Sequence, residues 1–372
     1  MTTHASGPAP APAELPAGFL PGAIDCDIHP EPPRRADLLP YLDPYWREAV
    51  VSRDVDRLDL TSYPLGAPLT ARPDWRAGAA GRTGLDRVRT DVLDRFRLGA
   101  GILNCLYGAP AMYNEHFGGA LCRATNDWIR DHWLEPEPRL RASILVSPVN
   151  PDTAAEEVER VAADPRFVQV LFLAQGELPL GRKYYWPIYA AAERHGLPIG
   201  IHAGSAFRHA PTQSGFPSYF AEDYAGQTQG FAAQLLSLIA EGVFARFPGL
   251  KVVLIESGVT WLPSLMWRMS KDWLGVRTEV PWVKTRPANI IREHVRLTVQ
   301  PFDGPPDSGD VEKILRHLGS EDMLMFSTDY PHWQFDGDAA VPDGFPAAQL
   351  RKLLVENARA TYARLPGQEV ER

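Results

Sequence analysis

The chain has 372 residues, 45% of them hydrophobic and 23% charged, with a net charge of -8 and an isoelectric point near 5.7. This is ordinary globular material, enough for one large α/β domain or two smaller ones. The absence of a clustered basic run argues against nucleic acid or an anionic membrane as partner. Cys26, Cys105 and Cys122 form no CxxC pair and leave one over, so neither a disulfide framework nor a thiolate zinc site is expected, and a reducing cytoplasm fits.

Residues 1–22 are rich in alanine and proline and lack both a basic start and a long apolar core, so they read as a mobile tail rather than a secretory signal. Nothing further on approaches the ~18 consecutive apolar residues of a membrane span. Short β-branched runs then recur at 23–29, 101–107, 140–147, 167–173, 197–202, 250–256, 295–300 and 323–327. Helix-like segments at 113–133, 153–163, 184–195, 228–247, 261–274, 309–318 and 347–363 alternate with them, and Thr153 with Glu156 has capping-box spacing. Repeated strand-helix alternation implies parallel strands joined by right-handed crossovers. Eight such units predict a (β/α)₈ TIM-type barrel, a single domain over residues 23–372. An open doubly wound sheet is the competitor, but no glycine-rich phosphate turn follows the first strand.

One segment breaks the rhythm. Residues 52–89 separate the first two strands with turn chemistry and aromatics, among them Tyr63-Pro64 and Arg72-Pro73-Asp74-Trp75. Leaving the end of the first strand, this insertion would hang over the barrel mouth as a lid or substrate wall, or be merely solvated.

Strand alternation places Asp25, Asp27 and His29 on one face of the first strand. The fifth strand ends in His202, the sixth in Glu256, and the eighth runs into Ser327-Thr328-Asp329-Tyr330-Pro331-His332. The carboxyl ends of barrel strands open onto one face, so these separate positions become one site. Singly, each has a structural explanation: His202 as a core histidine, Glu256 and Asp329 as helix caps. Together, buried carboxylates and imidazoles are costly unless a cation neutralises them. Asp25, deeper in the barrel, reads as structural. His332 either orients the site or anchors a loop. Tyr107 and Gln300 end the second and seventh strands and can face a substrate. Arg208 and His209, six and seven positions past His202, could clamp an acid, although Arg208 also fits a solvated loop. Trp261, Trp267 and Trp273 lie at helical spacing and read as core or subunit contact.

Four stretches carry a family resemblance: Asp25-x-Asp27-x-His29-Pro30, Pro198-Ile199-Gly200-Ile201-His202, the segment from Phe247-Pro248-Gly249 to Glu256-Ser257-Gly258, and Ser327-Thr328-Asp329-Tyr330-Pro331-His332. They resemble the amidohydrolase superfamily, in particular the amidohydrolase-2 branch of metal-dependent decarboxylases and hydrolases, from about Ala23 to the Asn357-Ala358-Arg359 region. The resemblance implies a distorted (β/α)₈ barrel. It maps the family's first-strand metal pair onto Asp27 and His29, its fifth-strand histidine onto His202 and its eighth-strand aspartate onto Asp329. Asp27 replaces a histidine, and Glu256 stands where the muconate-semialdehyde decarboxylase branch has a catalytic histidine.

The expected cofactor is therefore one or two divalent transition-metal ions. Three carboxylates, Asp27, Glu256 and Asp329, move the preference from zinc toward manganese or iron. The leading expectation is hydrolysis of an acyl compound (ester, thioester, lactone or amide) by metal-activated water. Asp329 would shuttle the proton, and Glu256 would assist or ligate a second ion. The alternative is non-oxidative decarboxylation of an aromatic or unsaturated carboxylic acid, and a third is a binding protein on the same barrel without a working metal site. The partner in each case is a small molecule, with a homodimer as one expected assembly.

Overall fold

The computed structural model describes residues 15–56, 58, 84–205, 210, 212, 214–332 and 340–365. Eight parallel strands follow one another around a single sheet in sequence order: β1 (Ile24–Ile28), β2 (Ala100–Leu103), β3 (Leu140–Leu145), β4 (Phe167–Gln175), β5 (Ile199–Ser205), β6 (Val252–Ile255), β7 (Val295–Thr298) and β8 (Leu324–Met325). The last strand is only two residues long, yet the segment beyond it closes the ring onto β1. There Cys26 N–H donates to the Phe326 carbonyl at 3.0 Å, His29 N–H to Tyr330 at 2.7 Å and Asp329 N–H to Asp27 at 3.1 Å. The chain is a (β/α)₈ TIM-type barrel, as the strand count predicts.

Helices fill the crossovers. The first crossover holds α1 (Arg35–Leu38), α2 (Pro44–Ser52) and α3 (Gly84–Val88), none of them anticipated from the sequence. The lid reading of residues 52–89 falls mainly on residues 57 and 59–83, outside the described residues. Then come α4 (Glu115–Ile129), α5 (Pro151–Val161), α6 (Trp186–Arg194), α7 (Phe220–Ala240), α8 (Val243–Arg246), α9 (Trp261–Val276), α10 (Pro287–His294), α11 (Val311–Leu318) and α12 (Asn357–Thr361).

Their starts have local causes. Asp43, Asn114 and Asn150 each accept a hydrogen bond from the backbone N–H three residues on, and proline follows Asp43 and Asn150 at the first helical position. The expected Thr153/Glu156 capping box is therefore wrong: Asn150 caps α5 and Thr153 lies inside it. The helix expected over 228–247 starts earlier and breaks at Gly242, whose φ of 79° is left-handed and favours glycine. The helix expected over 347–363 is present over 347–361, opening with a 3-10 turn and widening to π geometry at Lys352–Glu356 before α12.

The barrel interior is close-packed rather than hollow. Its lower end is filled by Phe19 against Phe96 and Phe326, with ring centroids 5.6 and 5.1 Å away. Phe19 belongs to the segment expected to be a mobile tail, and burial of its ring corrects that reading for residues 15–22. Gly101 on β2 allows close approach, since a Cβ there would lie 2.6 Å from Ile28 Cδ1. Among the described residues no helix is long and apolar enough to cross a membrane, and the three cysteines are buried and free. On α9, Trp261 and Trp273 pack against the core while Trp267 faces outward.

Candidate metal centre

Five of the sequence-predicted residues meet at the carboxyl ends of the strands, and His332 joins them. Asp27, His29, His202 and Glu256 place one donor atom each within 4.8 Å of one another, and so do His29, Glu256, Asp329 and His332. The two groups share His29 and Glu256. His29 Nε2 lies 3.0 Å from Asp329 Oδ1, 3.3 Å from Glu256 Oε1 and 3.4 Å from Asp27 Oδ1. His202 Nε2 is 3.1 Å from Glu256 Oε1, and His332 Nδ1 is 3.2 Å from that same oxygen and 2.5 Å from Asp329 Oδ1.

Backbone carbonyls decide which face each imidazole presents. His29 Nδ1 donates to the Asn104 carbonyl at 2.9 Å and His202 Nδ1 to the Ala203 carbonyl at 2.6 Å. A carbonyl can only accept, so each Nδ1 carries a proton and each Nε2 is the ring nitrogen that faces the centre. Glu256 and Asp329 have φ of 58° and 55°, left-handed values that cost a non-glycine residue roughly 1–3 kcal/mol and that cluster at functional sites.

Asp25 is structural, as expected: it accepts from Asp27 N–H at 3.0 Å, Thr328 N–H at 3.0 Å and the Thr328 hydroxyl at 2.6 Å, tying β1 to the segment after β8. Burial outweighs those bonds and pushes its carboxyl up to about 7.

Electrostatically the cluster is frustrated without a cation. Burial, then the charge of Glu256, pushes Asp329 up to about 7 against the pull of His332. Burial opposes the charge on His332, but Asp329 and its hydrogen bonds raise it to about 9. Glu256 is held well below the usual carboxylate range despite its burial, because His202, His29 and His332 surround it. Asp27 Oδ2, Asp329 Oδ2 and His202 Nε2 are buried with no hydrogen-bond partner among the described residues. Converging lone pairs left unpaired in a dry site fit a cation. These side chains form a site able to hold a divalent transition metal.

Several supporting residues escape sequence reasoning. Asn104 Nδ2 donates to Asp27 Oδ1 at 2.8 Å, while Asn104 Oδ1 accepts from Ser143 Oγ at 2.5 Å and Gln169 Nε2 at 3.0 Å. Tyr362, near the chain end, donates to Gln169 Oε1 at 3.2 Å. The available signal was a lone amide inside an apolar run, as in Phe167-Val168-Gln169-Val170. Tyr107 and Gln300 are buried but contribute no donor to either group; Gln300 Oε1 has no hydrogen-bond partner among the described residues. Arg208 and His209 lie outside the described residues.

The amidohydrolase family model matches residues 24–364, and the chain belongs to that family. It is an enzyme fold with a metal-competent centre. The chain is 28% identical over 279 residues to a gamma-resorcylate decarboxylase of Rhodococcus jostii (strain RHA1), covering 71% of this chain and 81% of that one. It is 25% identical over 228 residues to a gamma-resorcylate decarboxylase of Polaromonas sp. (strain JS666 / ATCC BAA-500), covering 58% and 67%. Among solved structures, 2,6-dihydroxybenzoate decarboxylase from Rhizobium superposes with a TM-score of 0.67 at 20% identity, over 92% of this chain and 99% of that one. A dihydroxybenzoic acid decarboxylase from Polaromonas sp. JS666, with bound manganese and 2-nitroresorcinol, has a TM-score of 0.64 at 20% identity, over 95% and 100%.

These relatives overturn the leading expectation from the sequence. Hydrolysis of an acyl compound is replaced by decarboxylation as the reaction of the curated relatives. The physical reason is that a carboxylate-rich ligand set serves either chemistry, so charge counting at Asp27 and Glu256 carries no information about which bond is broken.

Proposed function

We propose that this chain is a metal-dependent, non-oxidative decarboxylase of an aromatic carboxylic acid. Asp27, His29, His202, Glu256 and Asp329 would hold a divalent ion, and the oxygen-rich set favours manganese. The observation that carries the reading is the buried convergence of these donors, three with unpartnered atoms, in a chain 28% identical to a gamma-resorcylate decarboxylase.

An ion held there would supply Lewis-acid charge to offset the substrate's acid group and the negative charge that builds on the ring. His29 and His202, fixed through Nδ1, keep their Nε2 atoms aimed at the centre. Asp329 is the acid: its unpartnered Oδ2 delivers a proton to the ring carbon as that carbon's bond to the carboxylate breaks and carbon dioxide leaves. His332 Nδ1, 2.5 Å from Asp329 Oδ1, resupplies the proton. Glu256, ringed by His29, His202 and His332, orders the imidazoles. Burial of the set keeps bulk water from the reacting carbon.

The test is carbon dioxide release by manganese-loaded protein from a panel of hydroxybenzoates that includes 2,6-dihydroxybenzoate. Release is expected with at least one, and Asp329→Asn should lower it about 10²-fold or more with metal still bound. Metal-loaded protein that releases none from any acid refutes the reading.

A further inference from the structure

The loops that follow β2, β3 and β4 border a cavity of ≈ 90 Å³, walled by side chains such as Leu145, Val149, Leu171, Phe172 and Leu178. Two of its wall residues adjoin residues of the metal-competent cluster, although no cluster residue lines the pocket itself. Cys105 directly follows Asn104, which bonds both His29 and Asp27, and Leu173 pairs with His202 across β4 and β5.

One wall residue is out of character. Gln175, at the end of β4, is 5% exposed, and neither its Oε1 nor its Nε2 has a partner among the described residues. A buried amide with both ends unmet is costly, and native chains rarely keep one without a use for it. The neighbouring glutamines are satisfied: Gln234 donates to the Ala174 carbonyl at 2.7 Å and accepts from Leu180 N–H at 2.7 Å, and Gln227 accepts from Gly204 N–H at 3.1 Å. Ser205, the partner of Gln175 across the ladder, likewise has a buried hydroxyl without a partner. Among the described residues the one charged side chain on the wall is Glu177, exposed at the rim.

We propose that this pocket receives a neutral arm projecting from the substrate ring away from the reacting carboxylate, and that Gln175 reads a group on it that both donates and accepts, such as a carboxamide or hydroxyl. The assignment rests on the aromatic-acid reading above for the ring that carries the arm.

The test is calorimetric binding of two probes to manganese-loaded protein: 2-nitroresorcinol, and its derivative with a 2-carboxamidoethyl arm para to the nitro group. In the wild-type protein the arm should tighten binding at least tenfold. In Gln175→Leu the gain should fall to twofold or less, while Tm is unchanged or higher because an unmet amide has been removed. A wild-type protein that gains nothing from the arm, or a folded Gln175→Leu that keeps the full gain, overturns the proposal. Binding of neither probe overturns it together with the aromatic-acid reading. A tenfold gain without carbon dioxide release from any acid sinks the reaction and upholds the pocket; release without the gain does the reverse.

Discussion

Removing the metal should destabilise the folded chain by an amount set by the cluster itself. Asp27 and Asp329 have fully buried side chains and Glu256 is 3% exposed, so three carboxylates crowd against His29, His202 and His332 out of contact with water. Without the cation the carboxylates are balanced only by protons taken up on the imidazoles, His332 among them. Mass action sets the scale of the loss, about 4 kcal/mol for an ion at a thousandfold excess over its Kd. At roughly 2 °C per kcal/mol for a large domain, the melting temperature should drop by about 6–10 °C on chelation. The assay is calorimetric melting of protein as purified, after chelator dialysis, and after reloading with manganese, with calcium as a control for ionic strength. Glu256→Gln, with one buried charge fewer, should show a smaller gap between the loaded and stripped forms. Melting temperatures of stripped and manganese-loaded protein within about 1 °C of each other would refute the reasoning.

Asn104→Ala should weaken manganese binding about 10–100-fold at neutral pH, because it removes the donor to Asp27 Oδ1 and the acceptor shared by Ser143 and Gln169; titration against a metal indicator checks this. Glu137, before β3, provides the pH prediction. Hydrogen bonds from Arg139, then from Arg89, outweigh its burial and hold its carboxyl from 4.5 down to about 2. A depressed carboxylate contributes stability that is fully present above pH ~4.5 and lost as pH falls toward ~2. The shift sets a ceiling of about 3 kcal/mol, reduced to about 1–2 because Arg89 and Arg139 are 31% and 32% exposed. Urea titrations should show Glu137→Gln less stable by that amount at pH 7, with the difference closing below pH 4.5; a gap independent of pH counts against it.

The barrel and its four ligand-bearing strands were legible because period-2 apolar runs stopped abruptly at carboxylates and imidazoles, as at Asp27-Ile28-His29 and Ile201-His202. A polar residue at a strand end announces itself; one buried in mid-run does not. Gln169 and Gln175 look like interruptions of β4, and only the geometry separates the satisfied amide from the unmet one. Asn104 sits in Leu103-Asn104-Cys105, where nothing local indicates that it bonds residues on β1, β3 and β4. The cap of α5 was misplaced by three residues because Thr153 and Glu156 mimic a capping box, while Asn150-Pro151 supplies both a side-chain acceptor and a fixed φ. The reaction was misread because its ligands are shared by two chemistries.

The clasp of Asp25 on Thr328 spans 303 positions of chain, and the contact between His29 and Asp329 spans 300. Contacts of such sequence separation form late, after the loop-closure entropy of nearly the whole barrel has been met. A nascent chain that stops before β8 has Asp27, His29, His202 and Glu256 but not Asp329 and His332, and so lacks the second donor group.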